Sequence, residues 1–335
     1  MKKITLFLLI IIFTSGLIVQ GKGLDSENKL PQLRVDGKNI VDENGRILQL
    51  RGVCFSDPDK LEKDGHWNLE YFTEAKDWGC NVVRFAVHPT RLNSRGWDAY
   101  FELMDKGVEW AEDLGMYVII DWHSIGNLNE GKYTSRMYTT SWEETVKFWK
   151  TIAEHYKGNT TVAVYELYNE PTKAGAQLSW ATWRPTMEKL IDEINSVDDG
   201  KIYLVAGMNW GYFLDEVGEN PVKRENIAYC THPYPQKREK PWELQWEKDW
   251  GFVTDTYPII ATEFGFMDAN DRGAHIPCIS DESYGEAIIN FFNKKNISYT
   301  VWCFDPDWPP YLIKDWDFTP TIQGEFFRKA MLEKK

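Results

Sequence analysis

Residues 164–171 read Val-Tyr-Glu-Leu-Tyr-Asn-Glu-Pro and predict a buried strand. The strand ends by presenting the amide of Asn169 and the carboxylate of Glu170 before a proline, which cannot continue a strand ladder. A second apolar run, residues 258–265 (PIIATEFG), also ends by presenting a carboxylate, that of Glu263. Two carboxylates at strand ends are the groups that glycoside hydrolysis requires, one as acid/base and the other as nucleophile or base.

The rest of the chain alternates between short apolar runs and amphipathic stretches. The predicted strands are residues 48–55, 81–87, 117–123, 162–170, 201–207, 227–234, 258–265 and 298–304. The predicted helices are residues 66–78, 97–114, 141–156, 179–196, 211–216, 241–254, 281–295 and 321–332. Eight apolar strands, each followed by a helix, indicate an α/β fold of the closed (β/α)8 TIM barrel type. The Asp-Gly and Asn-Gly pairs at 36–37 and 44–45 predict a short N-terminal β-hairpin ahead of the barrel.

The first residues have the pattern of a targeting segment. Residues 1–3 (MKK) are basic, residues 4–19 are almost wholly apolar, and small and polar residues follow. We therefore predict a secretory signal peptide over residues 1–23, a single domain over residues 24–335, and a secreted or periplasmic protein. An uncleaved membrane anchor is the alternative. No later stretch is long and apolar enough to span a bilayer.

Composition excludes several classes of partner. The net charge of −13, with no basic stripe, argues against nucleic acid. The five cysteines lack CxxC spacing, and no His–Glu or His–Cys pair has metal-ligand spacing, so we expect no metal. No Gly-x-Gly-x-x-Gly turn opens a helix, so we expect no nucleotide cofactor, and no other cofactor is predicted. One disulfide could form in an exported protein, but the spacing assigns no pair.

Aromatic residues make up 15% of the chain, including sixteen tryptophans. They favour a sugar-binding cleft and a large core about equally, because aromatic side chains dominate both. Candidates for the cleft wall are Trp67, Trp97, Trp142 and Trp210, with core or helix packing as the alternative for each, and the loop Trp308, Pro309, Pro310 and Tyr311.

Polar and aromatic residues recur at the C-terminal ends of the predicted strands, the face that carries the active site in such barrels. They are Arg84, His88, His123, Asn169, Glu170, His232, Tyr234, Glu263 and Trp302. Six separate strands contribute these residues. Exposure to solvent alone does not explain why they recur at the same end of each strand. For His88, the alternative to a functional role is that it simply packs beside Pro89. Glu166, inside the fourth strand, is predicted to pair with a barrel Arg or Lys.

Seven short blocks of this sequence, in order, resemble glycoside hydrolase family 5, the cellulase-type family of retaining β-glycanases. The blocks are Leu-Arg-Gly (50–52), Asn-Val-Val-Arg-Phe (81–85), Asp-Trp-His (121–123), Tyr-Asn-Glu-Pro (168–171), His-Pro-Tyr (232–234), Thr-Glu-Phe-Gly (262–265) and Val-Trp-Cys-Phe (301–304). The resemblance runs from about residue 33 to the C-terminus. It implies a barrel fold, a catalytic domain over residues 24–335 and a β-linked polysaccharide or oligosaccharide as substrate.

The resemblance also implies roles for the two carboxylates. Glu170 is expected to be the general acid/base and Glu263 the nucleophile of a double displacement. Arg84 and Tyr234 would keep Glu263 ionised by charge and hydrogen bonding, and Asn169 would bind the sugar 2-hydroxyl.

Three further residues receive supporting roles from the same resemblance. His123 and His232 would hold sugar hydroxyls or orient the acid. Trp302 would form the floor of the sugar subsite beside the cleaved bond.

The leading hypothesis is a secreted, monomeric endo-β-1,4-glucanase acting on cellulose or a related β-glucan. Within the fold, a β-mannanase or a mixed-linkage or xyloglucan endoglucanase is the alternative. From another class, the alternative is a non-catalytic glycan-binding protein that would use the aromatic cleft but not the carboxylates.

Overall fold

Eight parallel strands close into a barrel in the computed structural model, which describes residues 29–333. The strands of this part of the chain are β1 (Leu33–Asp36), β2 (Asn39–Asp42), β3 (Ile47–Leu48), β4 (Arg51–Phe55), β5 (Val82–Val87), β6 (Tyr117–Trp122), β7 (Ile125–Asn127), β8 (Lys132–Tyr133), β9 (Val162–Glu166), β10 (Glu170–Pro171), β11 (Ile202–Ala206), β12 (Ile227–Cys230), β13 (Ile259–Ala261) and β14 (Ser298–Val301). The barrel runs β4-β5-β6-β9-β11-β12-β13-β14, and β14 pairs with β4 to close it. The predicted (β/α)8 TIM barrel is confirmed.

Helices cover the outside of the barrel. They are α1 (Pro58–Lys63), α2 (Leu69–Asp77), α3 (Pro89–Arg95), α4 (Trp97–Asp113), α5 (Trp142–His155), α6 (Trp180–Asn195), α7 (Met208–Gly211), α8 (Trp242–Asp249), α9 (Glu282–Lys295) and α10 (Ile322–Leu332). Ser141 caps α5 by accepting the Glu144 N–H at 3.1 Å, which fixes where that helix begins. Two short helices, α1 and α3, occupy stretches for which the sequence predicted no helix.

A small antiparallel sheet lies at the N-terminal end of the barrel. The predicted hairpin is present as β1 and β2, and β3 adds a third strand. Leu33 and Ile40 of this sheet pack against residues at the starts of barrel strands, including Tyr117 and Ile202. The sheet therefore covers the end of the barrel opposite the predicted active site.

Successive side chains of a barrel strand alternate between the helix layer outside and the interior of the barrel. In β5, Val83, Phe85 and Val87 face the helices, whereas Val82 belongs to the apolar cluster inside the barrel. Arg84 lies two residues after Val82 and so shares its inward face. In β6, Tyr117 and Ile119 likewise belong to the inner cluster ahead of Asp121, so apolar residues fill the lower interior and charged ones fill the upper interior.

Three predicted elements differ from the structure. Strand β9 ends at Glu166, four residues before Glu170, because residues 170–171 leave the barrel and pair with β7. The helical turn predicted over residues 211–216 is replaced by α7, in which Asn209 and Trp210 have left-handed backbone angles. The predicted helix over residues 241–254 ends as α8 at Asp249 and continues as a 3-10 helix over Gly251–Asp255.

The predicted signal peptide, residues 1–23, lies outside the described residues. Within residues 29–333, none of the helices is long and apolar enough to cross a membrane. All five cysteines lie in this range, and each is a buried free thiol, so the cysteines form no disulfide here.

Candidate active site

Glu170 and Glu263 meet at the C-terminal end of the barrel. Backbone hydrogen bonds from Asn169 to Trp122 and from Glu170 to Ser124, each 3.1 Å, hold the Glu170 segment against β6. Glu263 follows β13, and one oxygen of each carboxylate and a His232 nitrogen lie within 4.8 Å of one another. A retaining pair stands roughly 5–5.5 Å apart and an inverting pair roughly 6.5–9.5 Å. The observed spacing fits the first class.

The Glu263 carboxylate is bound on both oxygens. Arg84 Nη1 donates to Oε1 at 3.1 Å, and the Tyr234 hydroxyl donates to Oε2 at 3.3 Å. Burial raises the pKa of Glu263 to about 6, although His232 and Arg84 act to lower it. Glu263 is therefore mostly ionised at neutral pH, but its pKa is higher than that of an exposed glutamate.

Arg84 lies at the centre of a layer of charged side chains under the two glutamates. It lies inside β5 and not at the strand end, and it is fully buried. Its guanidinium contacts Glu166 at 2.7 and 3.0 Å and Asp121 at 2.9 Å. Burial would raise the pKa of Glu166, but Arg84 and His232 lower it to about 2. The predicted pairing of Glu166 with a barrel arginine is confirmed.

His232 connects Glu170 to this charged layer. Its Nδ1 lies 2.9 Å from Glu170 Oε1, and its Nε2 lies 3.0 Å from Thr262 Oγ1, which donates to Glu166 at 2.8 Å. Burial acts to lower the pKa of His232, but Cys230 and the carboxylates of Glu263 and Glu166 raise it well above the usual value. The imidazole therefore carries a proton next to Glu170.

His88 and His123 form an imidazole pair, with ring centroids 4.4 Å apart. His123 Nδ1 lies 2.6 Å from Asp121, and His88 Nδ1 lies 3.1 Å from Asp57. His88 is thus fixed by a carboxylate and does more than pack beside a proline. Burial, His88 and Arg84 lower the pKa of His123 well below the usual value. A neutral His123 donates from Nδ1 to Asp121, which leaves its Nε2 able to accept.

Trp302 provides an aromatic surface beside these groups. Its ring stacks on His123 at 5.5 Å and on the half-buried Trp308 at 6.0 Å, with interplanar angles of 12° and 15°. Asn169 Oδ1 accepts from Arg84 Nη2 at 2.6 Å, so its amide orientation is fixed. The Asn169 Nδ2 group is buried and has no partner among the described residues, so it is free to donate to a ligand.

The four tryptophan candidates for the cleft wall separate into two groups. Trp67 packs inside the helix layer against Phe72 and Phe85. Trp97 and Trp142 also pack against that layer and carry Lys147 and Lys189 over their rings. These three are not in the cleft. Trp210, by contrast, lines a cavity beside the Glu170 segment.

Several residues of the site were not singled out from the sequence. Asp121 lies two residues before His123 on the same strand face, and this spacing could have identified it. Asp57 and Tyr138 come from loops, where no periodic pattern marks an inward side chain. Tyr138 packs over His88 at 5.8 Å, and burial, Glu170 and Glu263 raise its pKa to about 12.

Among residues 29–333, two groups of donor atoms could hold a metal ion. They are Glu170, His232 and Glu263, and Glu166, Cys230 and His232. Both depend on His232, whose two ring nitrogens are already hydrogen-bonded to Glu170 and Thr262. A metal ion would have to replace these hydrogen bonds. The geometry therefore favours proton transfer between the side chains over metal binding.

Comparison with known proteins agrees with this geometry. The family described as Cellulase (glycosyl hydrolase family 5) matches residues 41–307. The β-glucanase SdGluc5_26A of Saccharophagus degradans, solved in complex with cellotetraose, is 44% identical, with a TM-score of 0.89. That similarity covers 91% of this chain and 94% of the other.

Curated bacterial endoglucanases are also similar. One from Clostridium saccharobutylicum is 30% identical over 81% of this chain, and endoglucanase A of Butyrivibrio fibrisolvens is 28% identical over 72%. The matched regions span 56% and 54% of those two longer proteins.

Proposed function

This chain belongs to glycoside hydrolase family 5, and from that premise we propose that it hydrolyses β-glucan with retention of configuration at the anomeric carbon. The observation that carries the proposal is the spacing of the two glutamates. One oxygen of each lies within 4.8 Å of the other, which leaves no room for a water between carboxylate and sugar. Glu263 would therefore attack the sugar directly.

In the first step, a Glu263 oxygen forms a bond to the anomeric carbon while the glycosidic C–O bond breaks. Glu170 transfers its proton to the departing oxygen, which leaves as an alcohol. The hydrogen bond between His232 Nδ1 and Glu170 Oε1 supplies a route by which Glu170 acquires that proton. Arg84 and Tyr234 bind the Glu263 oxygens, orient the carboxylate and keep it ionised before attack.

In the second step, the Glu170 carboxylate accepts a proton from water. The water oxygen bonds to the anomeric carbon and the bond to Glu263 breaks, so two inversions give net retention. The free Asn169 Nδ2 is placed to donate to the sugar 2-hydroxyl, where the bond strengthens in an oxocarbenium-like transition state. His123 Nε2 would accept from a neighbouring sugar hydroxyl, with His88 beside it, and Trp302 would support the sugar ring.

We infer the substrate class from the proteins that are similar to this chain. Two bacterial endoglucanases and a β-glucanase solved with cellotetraose are similar to this chain. They support an endo-β-1,4-glucanase acting on cellulose or a related β-glucan. The basic and then apolar start of the chain supports secretion after removal of residues 1–23. The proposed active form is a monomer of residues 24–335. A mixed-linkage glucanase is the nearest alternative, because the loops that select among β-glucans lie around the same glutamates.

The test is the anomeric configuration of the first product, followed by proton NMR on cellulose oligosaccharides, barley β-glucan and galactomannan. We expect the β-anomer first on the glucans, with Glu170→Gln and Glu263→Gln inactive. The α-anomer first would mean inversion and would contradict the nucleophile role of Glu263. Binding without any product in the wild type would instead favour a glycan-binding protein.

A further inference from the structure

Thr262 lies directly before Glu263 in the chain, but its hydroxyl contacts a different part of the site. The residue is fully buried. Its hydroxyl oxygen lies 2.8 Å from Glu166 Oε1, 2.8 Å from the Cys230 thiol and 3.0 Å from His232 Nε2. A single hydroxyl therefore contacts a carboxylate, a thiol and an imidazole.

The direction of these hydrogen bonds follows from the number of protons available. A threonine hydroxyl has one proton to donate and two lone pairs with which to accept. Burial would raise the pKa of Glu166, but Arg84 and His232 lower it to about 2, so the Glu166 carboxylate can only accept. Thr262 donates its one proton to Glu166, because a hydrogen bond to a charged acceptor is the stronger kind. The imidazole nitrogen at 3.0 Å must then donate to Thr262.

His232 therefore carries a proton on Nε2 in both of its protonation states. Its other nitrogen, Nδ1, lies 2.9 Å from Glu170 Oε1. When Nδ1 also carries a proton, the imidazolium donates to the Glu170 carboxylate, and when Glu170 holds that proton, Nδ1 accepts from it. The proton that His232 shares with Glu170 is thus the one on Nδ1, whereas the Nε2 proton stays in place.

The backbone around Thr262 and His232 fixes this arrangement. The Thr300 hydroxyl donates to the Thr262 carbonyl at 2.8 Å. The backbone N–H of His232 donates to the Gly211 carbonyl at 3.0 Å. A Cβ added to Gly211 would lie 3.0 Å from the His232 ring, so the ring is closely packed on that side. The hydroxyl and the imidazole are therefore held facing each other.

We propose that Thr262 is a positioning residue for the general acid: by holding the Nε2 proton of His232, its hydroxyl leaves Nδ1 as the nitrogen that returns a proton to Glu170. This role rests on the proposed β-glucan hydrolysis, in which Glu170 protonates the departing oxygen. Without the hydroxyl, a neutral His232 can place its single proton on Nδ1 and donate it to the Glu170 carboxylate. Glu170 would then be held as a carboxylate, which cannot protonate the leaving group.

The role predicts a dependence on the leaving group. A sugar must receive a proton as the glycosidic bond breaks, whereas a dinitrophenolate is stable enough to leave without one. Loss of the Thr262 hydroxyl should therefore slow the cleavage of oligosaccharides and not that of dinitrophenyl glycosides. A disturbance of Glu263 would slow both, because both reactions need the nucleophile.

The experiment compares Thr262→Val and Thr262→Ser with wild type on cellopentaose and on dinitrophenyl β-cellobioside. The quantity measured is kcat/KM, which reports the step that breaks the glycosidic bond. In Thr262→Val we expect kcat/KM on cellopentaose to fall about ten- to hundredfold, part of the roughly 10²–10⁴-fold that general acid catalysis contributes. We expect less than about a threefold change on the dinitrophenyl glycoside, whose leaving group needs no general acid. Turnover of that substrate also shows that the variant is folded.

Two further variants serve as controls. Thr262→Ser keeps the hydroxyl and should restore most of the activity on cellopentaose. Thr161 is also a buried threonine, but it lies just before β9 at the opposite end of the barrel, and its hydroxyl has no partner within residues 29–333. Thr161→Val should therefore cleave both substrates as the wild type does.

Four results would overturn the proposal. An equal loss on both substrates in Thr262→Val would mean that the hydroxyl acts through Glu166 on the nucleophile and not on the acid. Unchanged kcat/KM on both would mean that His232 needs no such partner. Thr262→Ser as impaired as Thr262→Val on cellopentaose would mean that the hydroxyl is not the group responsible. A wild-type protein inactive on both substrates would contradict the proposed function itself, and this role with it.

Discussion

Arg84 donates to both oxygens of Glu166, at 2.7 and 3.0 Å, but makes a single hydrogen bond to Glu263, at 3.1 Å. The bidentate geometry is the stronger one, so Arg84 interacts more strongly with the fully buried Glu166 than with Glu263. This division explains why Glu166 has a pKa of about 2 while that of Glu263 is about 6. Glu263 is kept ionised at neutral pH without being strongly stabilised.

Replacing Arg84 with methionine should destabilise the protein by about 3–5 kcal/mol, because buried Glu166 and Asp121 would lose their counter-ion. The measurement is the free energy of unfolding in urea. Arg34→Met is the matched control, since Arg34 pairs with Asp36 on the surface, and the loss there should be about 0–1 kcal/mol. Equal losses in the two variants would contradict the account of the charged layer.

The fall of kcat/KM at acid pH should follow the protonation of Glu263. As pH falls below about 6, Glu263 gains a proton and can no longer attack, so kcat/KM should fall about tenfold for each further pH unit. In His232→Asn the limb should move toward neutral pH, because the cation that lowers the pKa of Glu263 is gone. Samples incubated at low pH and assayed at pH 7 control for unfolding. A limb that stays in place would exclude His232 as that cation.

The configuration of the product formed with azide should distinguish the catalytic roles of the two glutamates. In Glu263→Ala, azide can occupy the space of the missing carboxylate and attack the substrate, which should give a glycosyl azide of α-configuration from an activated β-fluoride. In Glu170→Ala, azide should instead attack the intermediate on Glu263 and give the β-azide from an aryl glycoside. The products are read by proton NMR. Reversed configurations would exchange the two roles.

A tryptophan near the cleft should affect substrate binding, whereas one in the helix layer should affect stability. Trp308→Ala removes a ring stacked on Trp302 near the cleft and should raise KM several-fold, as aromatic stacking is worth about 0.5–1.5 kcal/mol. Trp67→Ala should lower stability by about 3–5 kcal/mol, because Trp67 is packed in the helix layer. Its KM should not change. Kinetics and urea unfolding of both variants test this, and a raised KM in Trp67→Ala would contradict it.

Strand–helix alternation in the sequence was sufficient to predict the barrel. Buried parallel strands are recognisable because both faces are apolar, and the order of eight such strands leaves few topologies. The sequence also predicted that Glu170 and Glu263 follow separate strands, and that Glu166 pairs with an arginine. The strand ends were less well predicted, because Glu170 belongs to β10, whose partner β7 lies in a loop without a clear pattern.

Loop residues required the tertiary structure. Asp57 and Tyr138 come from segments with no period that would tell an inward side chain from an exposed one. Trp67 and Trp210 are equally aromatic in the sequence, yet one packs against Phe85 and the other is exposed beside Glu170.

The sequence by itself determined the fold and the placement of Glu170 and Glu263 after separate barrel strands, because hydrophobic periodicity and local motifs are properties of neighbouring residues. Only the tertiary structure decided how the charge of Arg84 is divided between Glu166 and Glu263, and which aromatic rings reach the cleft. Those properties depend on distances between residues far apart in the chain, such as the 179 positions that separate Arg84 from Glu263. Electrostatic interaction depends on such distances and on burial, and the order of residues along the chain specifies neither directly.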